Sequence, residues 1–196
     1  LQVAHATEER EYERSPQKAL WQTARELKWS KYLALNMFIW VALSQVDQKK
    51  YKIYHSLWVN KIKLHSNLTF DKLNPRWCAK GGSMDRDVYK SFAETMRMST
   101  FRTILALKAG YYSMFCAFLI DFTDAFQATR TDGPADEYPD MYVWPAPGFE
   151  RRTEKGERMV CKVNVGMQGR IDSTRLFSDR LWKILNKAGM SRAMWD

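Results

Sequence analysis

Between Tyr51 and Asn60 the chain steps in twos. Tyr51, Ile53, His55, Leu57 and Val59 alternate with Lys52, Tyr54, Ser56, Trp58 and Asn60. Successive strand residues point to opposite faces, so this period selects a half-buried β-strand over a helix. The period-two character extends over Phe38 to Leu64. Turn-rich HSNLTFDKLNP follows, and RWCAK after it reads as the returning strand of a hairpin. Lys61, Lys63, Lys72, Arg76 and Lys80 make this hairpin basic.

Helical spacing frames it. Ser15-Pro16 reads as an N-cap with proline in the first turn. Leu20, Ala24, Leu27 and Lys31, widened by Trp21, Trp29 and Leu33, predict a helix from about Pro16 to Leu35. Ser99 caps a second predicted helix, with Phe101, Ile104, Leu105 and Lys108 on one stripe and Gly110 at its end. The run SMFCAFLI predicts a central buried strand ending on Asp121. Met141–Trp144 and Arg158–Asn164 read as strands. Ser173–Ala188 reads as a helix with Leu176, Phe177, Leu181, Ile184, Leu185 and Ala188 on one face and Gly189 ending it. GGSMDRD, TRTDGPADEYPD and PAPGFERRTEKGER read as loops. The expected fold is α+β rather than a doubly wound alternation of strand and helix. Residues 1–14 are expected to form a polar arm, mobile or the outer turns of a helix, and residues 15–196 one domain.

Lys and Arg exceed Asp and Glu by 31 to 22, a net charge of +9, which favours a polyanionic partner such as nucleic acid. Cys78, Cys116 and Cys161 lie far apart in apolar or strand-like contexts and read as buried free thiols. His5, His55 and His65 form no paired-ligand pattern. No stretch is long and apolar enough for a membrane span. The residues carry no signal for a compartment.

Asp121 interrupts the pattern most sharply. A carboxylate at the end of a buried strand suits a metal ligand, because the strand holds it rigidly at an open edge. It equally suits an N-cap on a short helix through Ala125 to Ala128. Asp124 reads as a solvated first-turn acid.

The surrounding text resembles copia-type retrotransposon reverse transcriptases. Asp121-Phe-Thr-Asp-Ala-Phe126 looks like the family's first catalytic motif, Asp-x-x-x-Ala-aromatic. Trp21, Ala24, Glu26, Leu33, Asn36 and Trp40 resemble its first helix. LWVNKIK (Leu57 to Lys63) is similar to KWVFKIK, and PRWCAKGG (Pro75 to Gly82) to ARLVAKG. SFAETMRMSTFRTILALKA (Ser91 to Ala109) resembles TFAPVVRMTTIRTLLALAA, and MYVWPAPGF (Met141 to Phe149) resembles VYMKQPPGF. GRIDSTRLFSDRL (Gly169 to Leu181) parallels GLKQAPRAWYDRL. The resemblance runs from about Ser15 to Gly189.

It implies a fingers hairpin and partial right-hand palm, with fingers over about 15–98 and palm over about 99–196. Asp121 would be a ligand to the two Mg²⁺ ions of nucleotidyl transfer. Phe126 would be the steric gate against a ribose 2′-hydroxyl, and Arg76 would contact the incoming triphosphate. Lys72 would assist at the nucleotide, and Lys80, Lys61 and Lys63 would touch nucleic acid. The family's glutamine falls on Asp172, with Gln168 nearby but out of frame. The sequence closes on Ser191–Asp196 before a Tyr-x-Asp-Asp hairpin, so the chain is expected to be catalytically incomplete and to bind no Mg²⁺. A second expectation is a domesticated, non-catalytic subunit docked on a larger protein or ribonucleoprotein assembly. A third is a single-strand binder stacking bases on Trp58 and Trp77 beside the hairpin lysines.

Overall fold

The computed structural model describes residues 12, 14–89, 91, 93, 98–111, 122–131 and 138–190. The expected strand Ser113–Ile120, Asp121, Cys116 and most of the N-terminal arm lie outside the described residues. Among those described, three α-helices and two sheets make an α+β fold.

Helix α1 spans Lys18–Ala34. Its lead-in is set by Ser15, whose hydroxyl accepts the Gln17 N–H at 3.2 Å. It ends where Asn36 takes a left-handed φ of 48° and the Met37 N–H reaches back to the Tyr32 carbonyl at 3.1 Å. The buried face differs from the expected one. Trp21, Arg25, Trp29 and Tyr32 face inward, while Leu20, Leu27 and Leu33 face solvent. Both stripes have helical spacing, but aromatic rings remove more apolar surface from water than leucines do, and the larger burial decides. Tyr12 is docked rather than mobile. It is buried, with its ring 3.6 Å from the Arg25 guanidinium and its hydroxyl donating to Gln22 Oε1 at 2.9 Å.

Strands β1 (Phe38–Ala42), β2 (Ile53–Tyr54), β5 (Met141–Val143) and β6 (Met159–Val163) form a four-stranded sheet in the order β1-β6-β5-β2. The β2–β5 pair is parallel and the others antiparallel. The expected period-two run from Phe38 is broken by a 3₁₀ turn at Leu43–Gln45 before β2. Strands β3 (Ser56–Leu64) and β4 (Phe70–Ala79) form the basic hairpin as a sheet of their own, with a register shift at Lys63/Leu64.

Cross-strand pairing sorts the hairpin into two faces. Trp58 faces Trp77 and Asn60 faces Pro75 on the inner side, whereas Val59–Arg76, Lys61–Asn74 and Lys63–Lys72 share the outer side. The inner tryptophans, 1% and 2% exposed, enter the core around Trp29. The Trp29 ring lies 5.0 Å from Trp77, 5.0 Å from Phe38 and 4.9 Å from Phe149 between centroids. This burial overturns the expectation of Trp58 and Trp77 as a base-stacking platform: their rings pack against Trp29, Phe38 and Phe149 in the core.

The base of the hairpin docks on the turn before α3 (Ser173–Lys187). The Ala79 N–H donates to the Gln168 carbonyl at 2.9 Å. Gly169 has a φ of 81°, and a Cβ there would meet the Ala79 carbonyl oxygen at 2.0 Å. Only glycine permits both the left-handed backbone and that approach. Helix α2 (Met98–Gly110) lies where expected but buries no residue; Phe101, Ile104 and Leu105 are exposed. Cys78 and Cys161 are free thiols, as expected. None of the helices among the described residues is long and apolar enough to cross a membrane.

Candidate anion-binding cleft

The outer face of the hairpin, the inward edge of α1 and the segment 122–131 enclose a cleft of about 430 Å³. Two constraints place that segment. The Thr131 N–H donates to the Asn164 carbonyl at 2.7 Å and the Gly166 N–H to the Thr129 carbonyl at 2.8 Å, tying it to the chain after β6. Gly166 allows the approach, since a Cβ there would come within 2.9 Å of the Phe126 carbonyl oxygen. Phe122 packs edge-on against Phe177 of α3, 5.3 Å between centroids. The segment itself is a run of turns, bonded from the Ala128 N–H to the Asp124 carbonyl at 3.0 Å, rather than the short helix weighed for Ala125 to Ala128.

Of the residues singled out in sequence, Arg76, Lys72, Lys63 and Phe126 meet in this cleft. They come from β3, β4 and the turn segment, more than fifty positions apart at the extremes. Lys61 sits on the same hairpin face opposite Asn74 but does not line the cleft, and Lys80 is exposed at the hairpin base, its N–H bonded to the His55 carbonyl at 2.8 Å. Asp121 lies outside the described residues.

Sequence reasoning missed Lys28, Lys31, Tyr32, Asn74 and Gln168, which also line the cleft. Lys28 and Lys31 flank the buried stripe of α1 at a spacing of three, which carries both to one side of the helix. That signal becomes readable only once Trp29 and Tyr32, not the leucines, are known to face inward. Asp172, not Gln168, occupies the frame of the family's glutamine. Asp172 is fully buried and takes the Arg170 guanidinium in a fork, Nε to Oδ1 at 2.6 Å and Nη2 to Oδ2 at 3.0 Å. Gln168, four residues earlier, faces the cleft, its Oε1 3.7 Å from the Cys78 sulfur.

The electrostatics are one-sided. Lys28, Lys31, Lys63, Lys72 and Arg76 face a single described acid, Asp124. Burial pushes the Lys28 pKa down and the neighbouring Lys31, Arg76 and Lys63 push with it, against the attraction of Asp124. A lysine held among cations favours any anion that joins it. Asp124 donates nothing and accepts from Lys31; that hydrogen bond, with the charges of Lys28 and Lys63, holds its carboxyl below the usual range despite partial burial. Tyr32 forms the floor, its hydroxyl accepting the Trp77 N–H at 3.4 Å and its pKa raised by burial. Cys78 is pushed up to about 11 by burial and is a neutral thiol near neutrality.

The cleft therefore suits a multiply charged anion carrying an apolar or ring-bearing portion against Phe126. Among the described residues, no three His, Cys, Asp or Glu side chains come together as a metal site requires. Asp124 pairs with lysines, and Asp121, which the resemblance implies as the Mg²⁺ ligand, lies outside the described residues. Comparison with known proteins gives no match: no family model, no curated protein and no solved structure matches the chain.

Proposed function

We propose that this chain is the fingers and first palm segment of a reverse-transcriptase-like domain of copia-type retroelement origin, and that the cleft receives the triphosphate of a nucleotide. The observation that carries the reading is the meeting of Arg76, Lys72 and Phe126 in one basic cleft. The sequence resemblance names these residues for the triphosphate and the ribose, from separate motifs. Arg76 offers forked donors to phosphate oxygens, Lys72 on the same strand and Lys63 on the paired strand supply point charges, and Phe126 offers its ring to the sugar. Gln168 takes the position at the cleft wall that suits an amide contact to the bound nucleotide.

We read these 196 residues as a binding unit without turnover of their own, because the one aspartate that the resemblance puts in a metal-ligand position, Asp121, does not hold two metal ions alone. Isothermal titration with a deoxynucleoside triphosphate tests the reading. The wild-type chain is expected to bind saturably with salt-sensitive affinity, and Arg76→Ala to weaken binding by roughly tenfold to a hundredfold, the effect of one charge-assisted bidentate contact. Equal affinity of the two proteins contradicts it. Primer extension with Mg²⁺ or Mn²⁺ is expected to give no incorporation by this chain, and robust incorporation overturns the non-catalytic reading.

A second reading has one observation in its favour. Helix α2 exposes Met98, Phe101, Ile104, Leu105 and Leu107, an apolar surface that suits a subunit docked on a larger assembly. Two variants separate the readings: the nucleotide-binding reading expects Arg76→Ala to lose nucleotide binding, whereas an accessory role leaves assembly intact in Arg76→Ala and loses it in Phe101→Asp on the α2 surface.

A further inference from the structure

We propose that Asp124 is a built-in counterion of the cleft, competing with the ligand's phosphate for the ammonium groups of Lys28 and Lys31. The proposal rests on the reading of the cleft as a polyphosphate site and adds a residue that sets its affinity.

Three observations carry it. First, Asp124 sits at a φ of 53°, a left-handed conformation that Asp and Asn adopt more readily than other side-chain-bearing residues. This backbone turns its carboxylate back toward α1. Second, the carboxylate reaches both lysines of that helix: Oδ2 accepts a hydrogen bond from Lys31 Nζ, and Oδ1 lies 3.9 Å from Lys28 Nζ. Third, this is the acid in a described lining otherwise rich in Lys and Arg, 93 residues from Lys31 in the chain. The contact is therefore made by the fold and not by local spacing.

A phosphate entering beside Arg76 has two courses. It either stays next to the carboxylate and is repelled, or takes Lys31 from it and leaves the carboxylate without its partner. Both courses weaken anion binding relative to a cleft without the charge. Phosphate groups of the required charge density gain a site that admits them and rejects weaker anions, which cannot displace the carboxylate.

The test uses the full 196-residue chain and inorganic tripolyphosphate, by isothermal titration with EDTA and again with Mg²⁺. Asparagine keeps the left-handed backbone, so Asp124→Asn removes the charge with little strain. The proposal expects Asp124→Asn to bind about three- to tenfold more tightly than wild type, the scale of one partly exposed charge pair. It further expects Lys31→Gln to weaken binding little in the wild-type background and about as much as the gain in the Asp124→Asn background. That non-additivity is a signature that a merely structural acid does not produce. Binding by Asp124→Asn alone also supports the proposal. Equal or weaker binding by Asp124→Asn, with wild type binding, overturns it while the polyphosphate reading stands. Mg²⁺ strengthening the wild type but not Asp124→Asn makes the acid a metal ligand and overturns it as well. Absence of binding in every variant overturns the inference and the polyphosphate reading together.

Discussion

Asp124 and Asp172 are two acids whose roles could not be told from their neighbours in the sequence. Asp124 read as a solvated acid, yet it closes an ion pair with a helix 93 residues away. Asp172 falls where the resemblance places a glutamine, yet it is buried in a fork with Arg170. A carboxylate's environment is made by long-range packing, which no local spacing records. The Asp124 pair has a pH signature. Its folded-state pKa is depressed by Lys31, Lys28 and Lys63, so its contribution to stability is present above the unfolded carboxylate value of about 3.9 and is lost as the pH falls through the folded value. Urea unfolding is expected to show wild type more stable than Asp124→Asn at pH 6, with the difference shrinking as the pH falls below about 3.9. A difference that persists or grows on the acid side contradicts the pair.

At the scale of elements, the hairpin was legible and its orientation was not. Alternation identified β3, because period two is a property of local backbone geometry, whereas Phe70–Pro75, expected within the turn-rich segment, already pair as the first half of β4. Which face turns inward depends on the tryptophans of three elements meeting, Trp29 of α1 with Trp58 and Trp77. The same competition reversed the leucine stripe of α1. It also explains why Lys28 and Lys31 escaped notice, since they line the cleft only when Trp29 and Tyr32 face the core. The two faces predict opposite consequences. Trp77→Ala is expected to cost about 3–5 kcal/mol of stability, as an aromatic truncation in a packed core does. Lys72→Ala on the outer face is expected to change stability by no more than about 0.5 kcal/mol while lowering nucleotide affinity. Urea unfolding of both variants checks this; a destabilised Lys72→Ala or a neutral Trp77→Ala contradicts the assignment of faces.

In the molecule as a whole the hairpin base is tied to the turn before α3 by close backbone contacts at Gly169 and Gly81, where a Cβ would meet backbone oxygen at 2.0 Å in each case. Arg76 and Lys72 of the hairpin and Phe126 of the turn segment line one cleft only in the assembled fold. On the proposed function a nucleotide binds in this cleft, and not on the α2 surface or at the hairpin tip. Backbone amide chemical-shift mapping of the labelled chain on addition of a deoxynucleoside triphosphate distinguishes these places. Saturable shifts are expected at Lys28, Lys31, Lys72, Arg76, Phe126 and Gln168. Shifts centred on α2 or on residues 65–69 at the hairpin tip, with those six unmoved, would contradict it.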